Sequence, residues 1–317
     1  MTKSEETKSK YQGIFVAACT PMKEDYALDL PRIRTCIEYL VSGGLRTGTA
    51  VYVALGAGGE QMHLSTEERK AVAEAAVDAS AGRLPVFVGI SHQSTRTSVE
   101  LARHAERIGA DGLQVEPPWY FASTSDDAFE YFRAISQSVS LGITAYNTFW
   151  TCGFDMDLGF VERLAELENV VGLKWSSSND SELVAVLSAC KDRFNIVCNF
   201  HGAFVASSFI LGARGYVSQA ANFIPRTNLR ILQALSARQY EEATHLYMAS
   251  EEVYNRALAE VLREGITGEG NFIKACMPLV GIPCGPARLP LRHPPAWFVD
   301  RVRRMIDSVG ELRLAAS

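Results

Sequence analysis

Lys174 is the residue whose surroundings speak most directly of chemistry. It sits in the apolar run Val170-Val171-Gly172-Leu173-Lys174-Trp175. A lysine in such a strand that points inward loses the hydration of its ammonium, a costly step unless the charge is paired or given up. Burial lowers the amine's pKa and leaves a nucleophile suited to Schiff-base formation with a carbonyl. Pointing outward, the same side chain would snorkel between helices, with Leu173 and Trp175 facing in. Position alone leaves both orientations open. Tyr146, in the run Ala145-Tyr146-Asn147-Thr148, has the same ambiguity: its phenol can relay protons, or it can be a packing tyrosine with a solvated tip. In the loop Gly56-Ala57-Gly58-Gly59-Glu60, successive N–H groups with little side-chain obstruction can cradle a carboxylate, or the glycines can serve a tight turn alone. Glu60 reads as structural, bonding loop amides or an adjacent helix.

The six histidines show no HxH, HExxH or HxxxH spacing, so no metal site is expected. His201 alone sits where a pocket is expected, and it reads as structural. Ser91 and Ser218 lack the partners of an acyl-transfer triad. The seven cysteines (Cys19, Cys36, Cys152, Cys190, Cys198, Cys276 and Cys284) are scattered, odd in number and never in a CxxC pair, which fits reduced cytoplasmic thiols.

These residues must be positioned by strands. Short β-rich runs fall at 13–20, 50–56, 84–91, 112–116, 143–147, 170–175, 195–200 and 215–218, nearly continuous in hydrophobicity, as in parallel strands covered on both faces. Helical periodicity lies between them: Leu183, Val186, Leu187 and Cys190 make one apolar stripe. Ser65 with Glu68 forms a capping box, and Asn179 or Asp180 caps the helix after the sixth strand. Eight strand–helix units, with no Gly-x-Gly-x-x-Gly after the first strand, predict an α/β fold of the closed (β/α)₈ TIM-barrel type over residues 12–236. Helical runs at 229–235, 240–263, 271–277 and 295–309 predict a C-terminal helical extension over 237–317. Residues 1–11, polar and lysine-rich, are expected to be a disordered lead-in.

Composition removes other classes. A net charge of −5 in 317 residues, with no basic run interleaved with aromatics, argues against nucleic acid. The N-terminus lacks the apolar core of a secretory leader, and no run is long and apolar enough to span a bilayer. A cytoplasmic protein with a small-molecule substrate is the expectation.

The ordered set Cys19-Thr20-Pro21, Gly56-x-Gly58-Gly59-Glu60, Leu64-Ser65-x-Glu67-Glu68-Arg69, Glu106-x-x-Gly109-Ala110-Asp111-Gly112, Pro117-Pro118-Trp119-Tyr120, Tyr146-Asn147 and Gly172-Leu173-Lys174 resembles the dihydrodipicolinate synthase/N-acetylneuraminate lyase family, from residue 13 to about residue 280. The resemblance implies a barrel with a helical C-terminal extension, a homotetramer, and no metal or organic cofactor. It makes Lys174 the Schiff-base lysine and Tyr146 the proton relay. It assigns the substrate carboxylate to the loop of Ala57, Gly58 and Gly59, and the strand-eight wall of the pocket to Val217 and Ser218.

The departures imply a divergent member rather than a dihydrodipicolinate synthase. Ala57 and Gly58 stand where hydroxyl residues are common. Trp119 or Tyr120 occupies the stretch of a tyrosine donated across subunits. Thr151 replaces an arginine that clamps the second substrate's carboxylate. Trp119, Tyr120, Phe149, Thr151 and Phe200 are therefore the candidate specificity residues, with Trp150 adding to an aromatic lining. The expected activity is that of a class I lyase, a pyruvate-dependent aldolase, with a dehydratase or deaminase of a hydroxylated 2-oxo acid as the alternative. Rivals of other classes are a catalytically silent ligand-binding barrel and a barrel binding a phosphorylated sugar; the segments after strands seven and eight suit phosphate poorly.

Overall fold

The computed structural model describes residues 1–199 and 204–314. Eight parallel strands close into one barrel in sequence order: β1 Gly13–Ala17, β2 Ala50–Ala54, β3 Val86–Gly89, β4 Gly112–Val115, β5 Ile143–Thr148, β6 Val170–Ser176, β7 Asn195–Cys198 and β8 Gly215–Ser218, which pairs back onto β1. The expected (β/α)₈ barrel is thus present. Around it lie α2 Leu30–Ser42, α3 Thr66–Ser80, α4 Thr95–Arg107, α5 Ser125–Ser136, α6 Phe149–Cys152, α7 Leu158–Leu164, α8 Asp180–Cys190, α9 Phe204–Leu211 and α10 Pro225–Ser236. The Ser65–Glu68 capping box opens α3, and the Asn179 side chain accepts from the Ser181 N–H at the start of α8.

Alternation along each strand sorts the apolar residues into two cores. Leu173, Trp175 and their counterparts pack outward against the helices. Phe15, Val51, Val53, Phe87 and Val197 fill the barrel with Tyr11.

Tyr11 brings the first correction. The polar N-terminus is not a disordered lead-in: it forms helix α1, Lys3–Lys10, opened by a Thr2–Glu5 capping box. The helix closes the lower end of the barrel. Asn195 donates to the carbonyls of Lys8 and Tyr11 at 2.7 and 3.0 Å, and Lys8 Nζ donates to the Arg193 carbonyl at 2.9 Å. Tyr11 is fully buried, and a Cβ on Gly172 would sit 2.5 Å from its ring. The glycine two residues before Lys174 on the same strand therefore makes room for the plug.

The C-terminal extension comprises α11 Tyr240–Ala249, α12 Glu251–Arg263, α13 Gly270–Cys276, α14 Ala296–Val309 and α15 Glu311–Leu314. The continuous helix expected over 240–263 is broken at Ser250, whose backbone leaves helical geometry and whose hydroxyl donates to the Leu246 carbonyl. The extension shares its core with the barrel: Tyr254, Phe272, Phe298 and Val302 pack with Cys19, Cys36, Ala220 and Phe223. Glu311, fully buried, accepts from the N–H groups of Arg226 and Thr227, capping α10 from the far end of the chain.

Candidate active site

The orientation of Lys174 follows from register. Gly172 faces the interior against Tyr11, so Lys174, two residues on, faces it as well, while Leu173 and Trp175 face the helices. Parallel pairing aligns Thr144 with Gly172, Tyr146 with Lys174 and Thr148 with Ser176. Lys174 and Tyr146 therefore lie side by side inside the barrel, at the carboxyl ends of adjacent strands. The Lys174 Nζ sits 3.8 Å from the centroid of the Tyr146 ring. Both residues are buried, at 8% and 4% exposure.

Among the described residues Lys174 has no ion-pair partner within salt-bridge distance, and burial holds its pKa below the ordinary lysine value; the Glu269 and Glu116 carboxylates oppose that fall. Burial pushes the Tyr146 phenol well above its ordinary range, Glu269 and Glu116 add to the rise, and bonding to Thr148 and Ser176 offsets part of it. Asn199 donates to the Tyr146 hydroxyl at 3.1 Å and to Ser176 Oγ at 2.7 Å, while Thr148 and Thr151 share a hydroxyl contact at 3.0 Å. Tyr146 is thus a neutral phenol within a chain of hydroxyls that reaches the exposed Thr151. Asn147 points to the outer side, donating to Asp155 at 2.8 Å, and Asp155 in turn accepts from Ser177 and Ser178. That clamp ties the loop after β5 to the end of β6.

The loop after β2 is held in strained form. Leu55 and Glu60 flank it with φ of 61° and 56°, left-handed values that side-chain-bearing residues adopt at a cost of about 1–3 kcal/mol each. The N–H groups of Gly59 and Glu60 close turns onto the carbonyls of Gly56 and Ala57, at 3.0 and 3.1 Å. The N–H groups of Gly56, Ala57 and Gly58 close no such turn among the described residues. Thr20 Oγ1 donates to the Gly59 carbonyl at 2.7 Å. Behind the loop, Glu60 is fully buried, pairs with Lys274 of α13 at 2.6 Å and accepts from the Arg288 N–H. Its structural reading holds. A Cβ on Gly270 would sit 2.7 Å from Glu60 Cγ and from the Gly58 carbonyl, so the start of α13, with Glu269 as its N-cap, lies directly against the loop.

Not every expected residue meets here. Val217 joins the interior cluster, but Ser218 faces outward: its hydroxyl donates to Glu251 of α12 at 2.7 Å and accepts from the Ala221 N–H. As a side chain of the pocket wall Ser218 is corrected, because alternation puts it on the helix face. Trp119 and Phe149 are half-buried, whereas Tyr120 and Trp150 stand out to solvent at 78% and 53% exposure. Phe200 and His201 lie outside the described residues.

Two carboxylates whose charge acts on the amine were not singled out from the sequence. Glu116 follows β4 and is buried; Gln114 and Gln61 donate to its two oxygens at 3.3 and 3.4 Å, and its N–H donates to Ser91 Oγ at 2.7 Å. Burial raises its carboxyl, and Glu269 adds to the rise while Lys174 opposes it. Glu269 is half-buried, and burial likewise raises its carboxyl against the pull of Lys174. The charged residue ending an apolar strand was a signal for Glu116. Glu269 arrives only through tertiary closure.

The family model described as "Dihydrodipicolinate synthetase family" matches residues 10–297. A 4-hydroxy-tetrahydrodipicolinate synthase of Methanothrix thermoacetophila is 30% identical over 308 residues, spanning 96% of this chain and all of that protein. The crystal structure of dihydrodipicolinate synthase from Aquifex aeolicus aligns with a TM-score of 0.83 at 26% identity, covering 95% of this chain and 98% of that one. That of the Acinetobacter baumannii synthase complexed with pyruvate aligns with a TM-score of 0.82 at 25% identity, over 94% and 99%. With matches that run nearly end to end, the chain belongs to the dihydrodipicolinate synthetase family.

Proposed function

We propose that this protein is a class I lyase that forms a Schiff base between Lys174 and a 2-oxo acid, acting as a pyruvate-dependent aldolase. The observation that carries the reading is the buried amine of Lys174, without an ion-pair partner among the described residues, lying 3.8 Å from the ring of Tyr146 inside the barrel. The neutral amine attacks the ketone carbon, water leaves, and the protonated imine draws electrons from the bond between C3 and C4. Tyr146, kept as a phenol by burial, passes a proton along its hydroxyl chain rather than resting as a phenolate. The Ala57 and Gly58 N–H groups receive the substrate carboxylate. No metal or organic cofactor is called for, since the iminium itself is the electron sink. A homotetramer in the cytoplasm goes with the proposal; no helix among the described residues is long and apolar enough to cross a membrane.

Loss of water or ammonia from a hydroxylated 2-oxo acid uses the same imine and is the second reading. Borohydride reduction in the presence of pyruvate, followed by peptide mass mapping, tests the imine: an adduct on Lys174 is expected. If no 2-oxo acid in a broad panel leaves one, the lyase reading fails and a silent ligand-binding barrel takes its place. A product assay then separates pyruvate release from loss of water or ammonia.

A further inference from the structure

We propose that Asp155 is a positioning residue for the reaction: by bonding the ends of β5 and β6 together, it fixes the register that sets Lys174 beside Tyr146. The inference rests on the imine reading above and adds what holds its two groups in place.

The pairing of the two strands is where a lock is needed. Tyr146 stands opposite Lys174, Asn147 opposite Trp175 and Thr148 opposite Ser176. Lower down, the ladder is irregular: Ile143 pairs with Val170 but Thr144 pairs with Gly172, so Val171 is skipped. Such an irregularity takes up one extra residue and disrupts the ladder locally. The part of β6 beyond it, which carries Lys174, is therefore not held in register from below. A slip of one residue would set Lys174 opposite Ala145 or Asn147, on the helix side of the barrel. Far less than a slip matters to the chemistry, since a misplacement of about 1 Å between reacting groups costs about a hundredfold in rate.

Asp155 closes the upper ends of the two strands. Its Oδ1 accepts from Asn147 Nδ2 at 2.8 Å. Its Oδ2 accepts from Ser177 Oγ at 3.1 Å, and from the Ser178 N–H and hydroxyl at 3.1 and 2.9 Å. These bonds fill the roughly four acceptor positions of a carboxylate. Asn147 uses its other end as well, its Oδ1 accepting from the Met156 N–H at 3.0 Å. Asn147 directly follows Tyr146 on β5, and Ser177 and Ser178 directly follow the end of β6 at Ser176. The clamp thus grips both strands close to the reacting groups. Because Asn147 points to the outer side, Asp155 acts on Lys174 and Tyr146 through the backbone rather than by contact. Ser177 Oγ also accepts from the Asn179 N–H at 3.0 Å, which carries the lock on to the start of α8. The same bonds return the segment bearing Phe149 and Thr151 to β5.

An exchange of the two side chains tests the lock. In Asp155→Asn the new amide group sets a donor against Asn147 Nδ2 or against the Ser178 N–H. In Asn147→Asp two carboxylates face one another. The double exchange restores every pairing: the new carboxylate accepts from Met156 and from the new carboxamide, whose oxygen accepts from Ser177 and Ser178. The readout is the rate at which saturating pyruvate is trapped on Lys174 by borohydride, per molecule of folded protein. Each single variant is expected to trap about tenfold to a hundredfold more slowly than wild type, and the double exchange to recover most of that loss. A clamp that only stabilised the fold would lower the urea midpoint and leave the rate per folded molecule unchanged. That result overturns the inference, as does a double exchange as slow as the single variants. If the single variants do not fold, Ser177→Ala with Ser178→Ala removes the two hydroxyl donors and leaves the charge as it is. This pair is expected to slow trapping severalfold, and an unchanged rate overturns the inference. Absence of any adduct in the wild type, across a panel of 2-oxo acids, overturns the imine reading and this inference together.

Discussion

Two lysines are buried in this molecule, and their environments are opposite. Lys274, at 3% exposure, meets Glu60 at 2.6 Å and donates to the Pro286 carbonyl at 3.0 Å. Lys174, at 8% exposure, has an aromatic face beside it and no carboxylate in contact among the described residues. Lys274 locks the back of the Gly58–Gly59 loop through Glu60, whereas Lys174 lies inside the barrel beside Tyr146. Burial is common to both, so burial alone does not make a nucleophile. A paired ammonium is a structural bolt, whereas an unpaired one is held at the protein's expense and is available for chemistry.

The largest expected effect separates the two by function. Lys174→Ala should abolish the borohydride-trapped adduct and lower turnover by at least about 10³-fold. Lys274→Met should keep Lys174 as the site of any adduct formed. An adduct mapped to Lys274 in wild-type protein would break the comparison.

Stability should separate them in the reverse sense. Lys274→Met strands the Glu60 carboxylate in the core and should cost about 3–5 kcal/mol, read from the urea midpoint. The double variant with Glu60→Gln should recover part of that loss. Lys174→Met removes an unpaired buried amine and should leave stability unchanged or raise it by about 1–3 kcal/mol. A fall of similar size in both single variants would mean that Lys174 is structural too.

How far these roles were legible in the sequence depends on the residue. The barrel was legible because eight apolar runs and their intervening helical stripes each carry their own period. The side-by-side placement of Lys174 and Tyr146 was legible through motif order. The inward face of Lys174 was not, because a period of two gives alternation without saying which set faces in; Gly172 decides that only once Tyr11 is seen packed on it. The resemblance assigned both Val217 and Ser218 to the pocket wall, which alternation along a strand does not allow for two adjacent side chains. Helix α1 was missed because its composition is polar, although its capping box was present as Thr2-x-x-Glu5; what holds it is the set of bonds to Asp111, Arg193 and Asn195, distant in the chain. Glu269 had no local signal, since its role depends on α13 folding back onto the loop after β2.

A buried carboxyl without a cation extends the comparison to acids. Glu251 is buried at 1% exposure and accepts from Ser218 and Asn228, both at 2.7 Å. Burial, offset in part by those two bonds, raises its pKa to about 7. A folded-state pKa above the ordinary carboxyl value gives a contribution that is fully present in acid and is lost as pH rises through about 7. Glu251→Gln keeps an oxygen for both donors and removes the ionisation. The variant should therefore gain on wild type between about pH 5 and pH 7, by up to about 3 kcal/mol. Urea titrations at a series of pH values check this; parallel curves for the two proteins would place the ionisation elsewhere.

The smallest effect concerns Glu269 and Glu116, the two acids whose charge acts on Lys174. Each carboxylate favours the ammonium, so each opposes the fall in lysine pKa that burial produces. Imine formation needs the free amine, and its rate should rise with pH as Lys174 loses its proton. Removing a neighbouring carboxylate takes away part of what holds that proton. The acid limb should then move to lower pH. Glu269→Gln should move it further than Glu116→Gln, following the order in which the two groups act on the amine. The pH dependence of the initial trapping rate with pyruvate measures the shift. A limb that moves to higher pH in either variant would mean that the acid donates a proton to the reaction rather than restraining the amine.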